Sequence, residues 1–198
     1  MGKLYVIMGK SASGKDTLYR LLMERHRELR PVVPYTTRPI RAGEKEGREY
    51  HFVSEETLHR LKEERRVLEC RCYETVKGPW YYFTVDDGQI ALEKASSCLI
   101  STLEGYLGIR DYYGSDKVVP LYIEVEDFVR IERSLERERQ QKNPCVAEVC
   151  RRFLADEEDF LEQKLALANV KNKIVNHNLE KALEDMIEII KKEEERVI

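Results

Sequence analysis

Short runs of apolar residues recur along the chain, and stretches with helical spacing lie between them. The runs LYVIM, SCLIST, PLYIEV and KIVN begin at residues 4, 97, 120 and 173. Each predicts a strand, and the first three are typical of strands in a parallel sheet. The stretches between them repeat apolar residues every three or four positions, which predicts amphipathic helices. Strands that alternate with helices predict an α/β fold with a three-layer core.

Glycine, proline and charged residues indicate where several helices begin and end. One helix is expected to begin at Gly14 and to be ended by Pro31. A long charged helix begins near Asp127, and Pro144 separates it from a second helix. A last amphipathic helix follows the strand at 173–176. The apolar faces of these helices are expected to include Leu29 in the first, Phe160 and Leu161 in the third, and Leu183 and Met186 in the last.

Residues 35–84 follow a different pattern from the rest of the chain. An extended, turn-rich stretch ends in REYHFVS, and Ser54 begins a short helix whose apolar face holds Leu58 and Leu61. The sequence RVLECRCYETV then alternates in the pattern of a strand, and WYYFTV predicts another strand. This block predicts a small mixed β insert within the α/β core.

The charge balance excludes a positive field over the whole protein. Lys and Arg total 34 and Asp and Glu total 37, which gives a formal net charge of −3. Any anion site must therefore be local, and nucleic acid is not an expected partner. Apolar residues make up 42% and charged residues 36%, as in a globular soluble chain. No apolar run is long enough to cross a membrane.

The five cysteines do not have the spacing of a zinc site. Cys70 and Cys72 are two positions apart, which is the spacing of alternating positions on a strand. Free thiols and the lack of a signal sequence lead us to expect a cytoplasmic protein. The other three cysteines are Cys98, Cys145 and Cys150.

The sequence GKSASGKD lies between the first predicted strand and the first predicted helix. In such a loop the glycines let backbone N–H groups surround a phosphate chain, and the helix presents its positive N-terminus. The lysine, here Lys15, reaches the β- and γ-phosphates. The sequence therefore predicts a nucleoside triphosphate site. Its candidate residues are Gly9, Ser11, Ala12, Ser13, Gly14, Lys15, Asp16 and Thr17.

Asp16 stands where this pattern normally has a serine or threonine that binds Mg²⁺. Its carboxylate can bind Mg²⁺ directly or through water, although it adds negative charge beside phosphates. Asp16 can equally stabilise the helix N-terminus through the helix dipole. Thr17 follows in the same helical turn and keeps a hydroxyl available. Both residues are candidate metal ligands.

The sequence YTTRPIRAGEKEGREYHFV predicts a second anion site, because arginine forks suit phosphate oxygens. It resembles the guanylate kinase signature T-T-R-x-x-R-x-G-E-x-x-G-x-x-Y-x-F-V. The matching residues are Thr36, Thr37, Arg38, Arg41, Gly43, Glu44, Gly47, Tyr50, Phe52 and Val53. The resemblance extends over nearly the whole chain and implies a P-loop kinase core with a nucleotide-binding insert and a helical lid.

The resemblance implies how a nucleoside monophosphate is bound. In that family a Thr-Arg-Arg-Tyr segment and a later aromatic pair hold the acceptor phosphate, and a glutamate reads guanine. An ionised carboxylate accepts the N1–H and 2-amino donors of guanine together, which adenine does not offer. Such a mismatch can discriminate by roughly 10⁴-fold. The corresponding residues here are Arg38, Arg41, Tyr50 and Tyr82 for the phosphate, and Glu69 and Thr84 for the base.

Arginines that close on the transferred phosphoryl group are also implied by the resemblance. Arg133 and Arg137 share one helical face, and Arg152 lies at the start of the next helix. A charge run of this kind is otherwise usually a solvated helix face. Close alternatives to these three residues are Arg130, Arg139 and Arg151. The turn VNHNLEKA resembles the closing turn of the family, in which the first asparagine, here Asn176, contacts adenine.

Three segments depart from the family pattern. LISTLEGY carries Ser101 and Thr102 in place of acidic residues that help with guanine and with water ligands of Mg²⁺. Pro34 stands where a serine often contacts the acceptor phosphate. Phe83 replaces a glycine in WYYFT, which affects the register of Tyr82 and Thr84. Base recognition is therefore matched less completely than phosphoryl transfer.

These observations predict a core formed by residues 1–34, 85–126 and 153–198. Residues 35–84 would form the monophosphate-binding insert, and residues 127–152 the lid. The expected activity is phosphorylation of GMP or dGMP by ATP, with Mg²⁺ as cofactor and by in-line phosphoryl transfer. Lys15, Arg38, Arg133, Arg137 and Arg152 are the expected catalytic residues.

Two alternatives remain at this point. The departures at LISTLEGY and Pro34 are compatible with an enzyme of the same fold that phosphorylates another nucleotide or a phosphorylated acceptor. Guanylate-kinase-like domains also occur as binding modules without catalysis. Such modules typically lose the phosphate loop, which is intact here. No internal repeat is present.

Overall fold

The computed structural model describes residues 2–41, 43–75 and 78–196. Their strands are β1 (Leu4–Met8), β2 (Arg30–Pro31), β3 (Tyr35–Thr36), β4 (His51–Phe52), β5 (Val67–Thr75), β6 (Gly78–Val85), β7 (Ser97–Ile100), β8 (Val118–Glu124) and β9 (Lys173–Val175). Their helices are α1 (Lys15–Arg25), α2 (Glu55–Glu63), α3 (Leu103–Tyr113), α4 (Asp127–Arg139), α5 (Val146–Asp159), α6 (Glu162–Leu167) and α7 (Leu179–Glu195).

A parallel sheet with the strand order β2-β7-β1-β8-β9 forms the centre of the molecule. Every residue of β1 is fully buried, because alternate side chains enter different apolar cores on the two faces. Leu4, Val6 and Met8 pack in a cluster that includes residues of α3 and α6. Tyr5 and Ile7 pack in a cluster that includes residues of α1 and α7. The predicted three-layer α/β fold is confirmed.

A second, mixed sheet has the order β4-β3-β6-β5. Its β3–β4 pair is parallel, and its other two pairs are antiparallel. The predicted short helix is α2, and the Ser54 hydroxyl caps it by accepting the N–H of Thr57. Leu58 and Leu61 of α2 pack with Phe83 in a small core. Phe83 is fully buried, so the aromatic ring that departs from the family pattern has a packing role.

Two helix predictions were wrong at their C-terminal ends. Helix α1 ends at Arg25 rather than at Pro31, and the N–H of His26 closes it by donating to Leu22. Leu29 is buried in the following turn, and Pro31 lies in β2. Pro31 therefore belongs to the next strand and does not end the helix.

The third predicted helix is α5, and it ends at Asp159. Phe160 is its C-cap and stacks on Tyr122, with 5.5 Å between ring centroids. Leu161 is exposed and not on the apolar face. The predicted boundary between lid and core at residue 152 falls inside α5, which runs without interruption from Val146 to Asp159.

Candidate active site

Two clefts meet at the loop between β1 and α1. The insert cleft has a volume of about 420 Å³ and is lined by the loop, the mixed sheet and α5. The loop cleft has a volume of about 650 Å³ and is lined by the loop, α4 and the turn before α7. Ser11, Lys15 and Arg152 border both clefts. These three residues therefore stand at the junction between them.

Backbone geometry holds the loop in the shape of an anion cradle. Ala12 and Gly14 both have a positive φ, of 60° and 87°, and left-handed residues within a turn are typical of anion-binding loops. Gly14 is the N-cap of α1, so the positive end of that helix dipole faces the loop. Gly9 lies against β8, where an added Cβ would be 2.6 Å from the carbonyl oxygen of Ile123.

Asn176 fastens the loop to the core. Its side-chain amide nitrogen donates to the carbonyl oxygen of Ser13 at 2.8 Å, and its backbone N–H donates to Glu124 at 2.8 Å. The residue is buried and also lines the loop cleft. The adenine contact expected for Asn176 stays a prediction beside this supporting role. Asn178 caps α7 by accepting the N–H of Lys181.

We expect Gly14→Ala to destabilise the protein by about 2 kcal/mol or more, because the left-handed φ strains any other residue. A Cβ at this position would also lie 2.5 Å from the side-chain nitrogen of Asn176. Urea denaturation measures the effect. Gly88→Ala is the matched control, because Gly88 has a φ of 90° and no heavy atom within 4 Å of the added Cβ. Equal losses in the two variants would contradict the close contact with Asn176.

A buried arginine on α4 is paired with α5, and α5 in turn binds the loop. Arg130 is 1% exposed, and its Nη2 donates to Asp127 at 2.8 Å and to Glu157 at 2.6 Å. Lys10 also donates to both carboxylate oxygens of Glu157, at 2.7 Å. The backbone N–H of Ser11 donates to Asp156 at 2.7 Å. Arg130 is therefore an internal ion-pair partner, and α5 holds the loop by two carboxylates.

The predicted lid arginines lie along the loop cleft. Arg133, Arg137 and Arg152 all line it, and Arg133 is near the carbonyl oxygen of Ala12, at 3.5 Å. Arg152 donates through Nε to Glu148 at 2.7 Å. Of the alternatives, Arg151 lines the insert cleft and Arg139 lies at the end of α4, and neither lines the loop cleft. The three predicted residues are thus brought together around one space.

The two neighbouring arginines lower the pKa of Glu148 from 4.5 to about 2, with the hydrogen bond from Arg151 as the largest cause. The stability that this pairing contributes is present above pH 4.5 and is lost as the pH falls through about 2. We expect an NMR titration of the side-chain carboxyl to give the lowered pKa. In Arg151→Ala it should move back toward 4.5, whereas Arg139→Ala should leave it unchanged. An unshifted pKa in the unmodified protein would contradict these ion pairs.

The arginines of the signature occupy different environments. Arg38 is buried and forms a bidentate pair with Glu44, at 2.6 and 2.7 Å, which lowers the pKa of Glu44. Its guanidinium carbon lies 5.1 Å from the ring centre of Tyr50. Tyr82 packs edge-on against Tyr50 at 5.6 Å. Arg41, Tyr50 and Tyr82 line the insert cleft, so this part of the signature forms one wall of it.

The residues predicted for base recognition are buried behind Arg71, which lines the insert cleft. Glu69 is buried, and the Thr84 hydroxyl donates to its Oε1 at 2.7 Å. Arg71 donates to the same carboxylate from Nε at 2.9 Å and reaches Thr102 with Nη1 at 3.2 Å. Thr84 is paired with Glu69 across β5 and β6, so its hydroxyl reaches the carboxylate although Phe83 precedes it.

Sequence reasoning missed Arg71 and the partners of Arg130. Arg71 could have been found, because it lies two positions after Glu69 on a strand and so shares its face. The carboxylates Asp156 and Glu157 had no such signal, since their loop partners Ser11 and Lys10 lie 145 and 147 residues away along the chain. Among the residues that the structure describes, no group of three or more His, Cys, Asp or Glu side chains could hold a metal ion.

Asp16 and Thr17, the two candidate metal ligands, both border the loop cleft and are exposed.

Within the described part of the chain, no helix is both long and apolar enough to cross a membrane. The five cysteines are free thiols.

Comparisons with known proteins all point to the same family. A family model described as guanylate kinase matches residues 1–101. The guanylate kinase of Neisseria gonorrhoeae is 31% identical over 189 residues, which cover 96% of this chain and 87% of that protein. The guanylate kinase of Oleidesulfovibrio alaskensis is 31% identical over 93% of this chain and 84% of that protein.

A solved structure supports the fold. The crystal structure of guanylate kinase from Anaplasma phagocytophilum matches with a TM-score of 0.65 over 97% of this chain and 86% of that chain. The two sequences are 23% identical, so this likeness is evidence for the architecture of the sheet and helices.

Proposed function

The chain belongs to the guanylate kinase family and is therefore a nucleoside monophosphate kinase, and we propose that it transfers a phosphoryl group from ATP to GMP or dGMP. One observation carries this proposal. Ser11, Lys15 and Arg152 border the loop cleft and the insert cleft at once. A phosphoryl group that passes from a donor in one cleft to an acceptor in the other must cross this junction.

We assign the loop cleft to ATP. The loop amides and the N-terminus of α1 suit the triphosphate, and Lys15 adds a positive charge at the junction. Asn176 lies at the edge of this cleft, where adenine would be bound. The ATP-binding residues proposed are Gly9, Ser11, Ala12, Ser13, Gly14, Lys15, Asp16, Thr17 and Asn176.

We assign the insert cleft to GMP. Arg41, Tyr50 and Tyr82 would bind the acceptor phosphate, with Arg38 behind them. The bidentate pair with Glu44 keeps the buried Arg38 charged and fixed in orientation. Glu69 and Thr84 would bind the guanine base at the far end of the cleft.

Transfer needs no strong base, because the attacking phosphate oxygen is already ionised near neutral pH. Catalysis then consists of alignment and of neutralising charge on the transferred group. Arg133, Arg137 and Arg152 lie along the loop cleft and can supply positive charge as α4 and α5 close. We propose that the insert and the lid move toward the core, which excludes water and suppresses hydrolysis of ATP.

The residues at the start of α1 fit a magnesium ion. Asp16 and Thr17 offer a carboxylate and a hydroxyl oxygen, both exposed to the loop cleft, and Mg²⁺ prefers oxygen ligands with few from the protein. When bound, Mg²⁺ neutralises charge on the phosphates of the donor. The substrates and the free thiols favour the cytoplasm as the location.

A comparison of Asp16→Ser with Thr17→Val tests this metal assignment. The variant that removes the ligand should raise the Mg²⁺ concentration needed for half-maximal turnover, because fewer protein oxygens remain to hold the ion. Magnesium titrations of turnover at saturating ATP measure it. Unchanged metal dependence in both variants, with the fold intact, would contradict the assignment of either residue.

A coupled assay of ADP release with Mg-ATP tests the activity across GMP, dGMP, AMP, UMP and CMP. We expect kcat/KM for GMP to exceed that for AMP by roughly 10⁴-fold, because a carboxylate site rejects a base without paired donors. Equal turnover with all five nucleotides would contradict GMP as the acceptor. It would favour the second candidate, a different nucleotide or phosphorylated acceptor, which the departures at Ser101 and Thr102 motivate.

A further inference from the structure

A buried arginine–glutamate pair lies beside the insert cleft, which its arginine lines. Arg71 and Glu69 lie on the same face of β5, with side chains that are 11% and 4% exposed. Two N–H groups of the guanidinium donate to the carboxylate, from Nε to Oε2 at 2.9 Å and from Nη2 to Oε1 at 3.3 Å. Arg71 also lines the cleft. A positive charge therefore stands beside the carboxylate at the base-binding end.

The pair is fixed from both sides. The Thr84 hydroxyl donates to Glu69 from the neighbouring strand, and Arg71 donates to the hydroxyl of Thr102, the N-cap of α3. Helix α3 comes close at Gly108, where an added Cβ would lie 2.8 Å from that of Glu69. Thr102 thus binds an arginine at a place where family members carry acidic residues.

A polar atom without a partner lies at the same place. Ser101 is 6% exposed and lines the insert cleft, and its hydroxyl has no hydrogen-bond partner among the described residues. A Cβ added at Gly105 would lie 2.2 Å from that hydroxyl oxygen and 3.3 Å from Oε2 of Glu69. Because buried polar atoms are normally paired, this hydroxyl is suited to a ligand group beside Glu69.

We propose that Arg71 is a specificity-determining residue that donates a hydrogen bond to the 6-oxo group of guanine, while Glu69 accepts from N1–H and the 2-amino group. This inference rests on the proposed function. A guanidinium is donor-only and an ionised carboxylate is acceptor-only. Guanine presents its O6 acceptor next to its N1–H donor. In the major groove of DNA, arginine is likewise a common hydrogen-bond donor to O6 of guanine.

The same pair rejects adenine at two positions. Adenine has an amino donor at position 6, which would face the donors of Arg71. It has an acceptor at N1, which would face the carboxylate of Glu69. Like groups placed opposite each other leave both partners desolvated and unpaired. The positive charge of Arg71, which donates to Thr102, therefore takes over part of the base recognition that acidic residues provide elsewhere in the family.

The test compares GMP with 6-thio-GMP, which keeps N1–H and the 2-amino group but accepts hydrogen bonds more weakly at position 6. We expect the unmodified protein to prefer GMP. Arg71→Met should lower kcat/KM for GMP by about 10- to 100-fold, the usual effect of one good arginine–guanine contact. It should lower kcat/KM for 6-thio-GMP much less, so that the preference falls toward one.

The ratio of kcat/KM for GMP to kcat/KM for 6-thio-GMP distinguishes a direct contact between Arg71 and the base from an indirect role in orienting Glu69. If Arg71 only orients Glu69, both substrates lose equally and the preference is unchanged, which would overturn the proposal. Arg71→Leu, which also lacks a donor, gives the same comparison if Arg71→Met does not fold. Arg60→Met is the matched control, because Arg60 is exposed on α2 and lines neither the insert cleft nor the loop cleft; it should keep the preference for GMP.

One measurement in this experiment tests the proposed function separately from the role of Arg71. Turnover of GMP by the unmodified protein supports the kinase activity, whatever the ratio in the Arg71 variants. Absence of that turnover would overturn both the activity and the role of Arg71. Turnover with an unchanged ratio would overturn the role of Arg71 alone.

Discussion

Lys15→Ala is expected to lower kcat by at least about 10²–10³-fold, the usual effect of removing one preorganised group that stabilises transition-state charge. Lys15 borders both clefts at their junction, so its ammonium is the loop charge best placed to follow the phosphoryl group. The loop amides and the lid arginines remain, so some transfer should persist. Steady-state assays of ADP formation from Mg-ATP and GMP measure the effect.

Lys181→Ala is the matched control for the loss of a lysine. Lys181 is exposed on α7 and paired with Asp185, so its replacement should leave kcat unchanged. Circular dichroism and thermal unfolding verify that Lys15→Ala keeps the fold. Equal activity in Lys15→Ala and the unmodified protein would contradict the assignment of the loop to phosphoryl transfer.

Arg130→Ala is expected to destabilise the protein by about 3 kcal/mol, near the lower end of the cost of breaking a buried ion pair. Removal of this 1% exposed arginine leaves Asp127, Asp156 and Glu157 without their shared cation. These carboxylates are partly exposed and Lys10 still contacts Glu157, which limits the loss. The guanidinium also lies 4.6 Å from the ring centre of Phe153, a favourable contact that would disappear.

Urea denaturation followed by circular dichroism measures this effect. Arg139→Ala, at an exposed position on the same helix, should change the free energy of unfolding by no more than about 0.5 kcal/mol. A similar small change in Arg130→Ala would show that the ion pairs do not hold α4 and α5 against the loop. The comparison also tests whether Arg130 is a structural arginine, distinct from the lid arginines along the loop cleft.

Features encoded within a short stretch of residues were predictable from the sequence. The pattern of a buried strand, a glycine loop and an amphipathic helix is local, and β1, the loop and α1 follow it. Ser54 caps its helix as predicted, because a capping hydroxyl acts on a backbone N–H three residues away. The ends of α1 and α5 were predicted less well, because tertiary packing decides where a helix stops.

Partners that are distant along the chain were not predictable in this way. The charge run RIERSLERER shows many arginines, and only the fold separates the buried Arg130 from those along the loop cleft. Arg38 and Glu44 were visible in the signature, but their bidentate pair depends on the turn that brings them together. The roles proposed for the site residues remain predictions for the experiments above.

The amino-acid sequence alone determined the α/β class, the phosphate loop and the arginine signature, because each depends on periodicity or on spacing within about 20 residues. Tertiary structure decided which charges are paired and which line the clefts. It placed Arg71 between Glu69 and Thr102, and it joined Lys10 and Ser11 to carboxylates on α5. Electrostatic pairing depends on distance and burial in space, and a linear pattern carries neither.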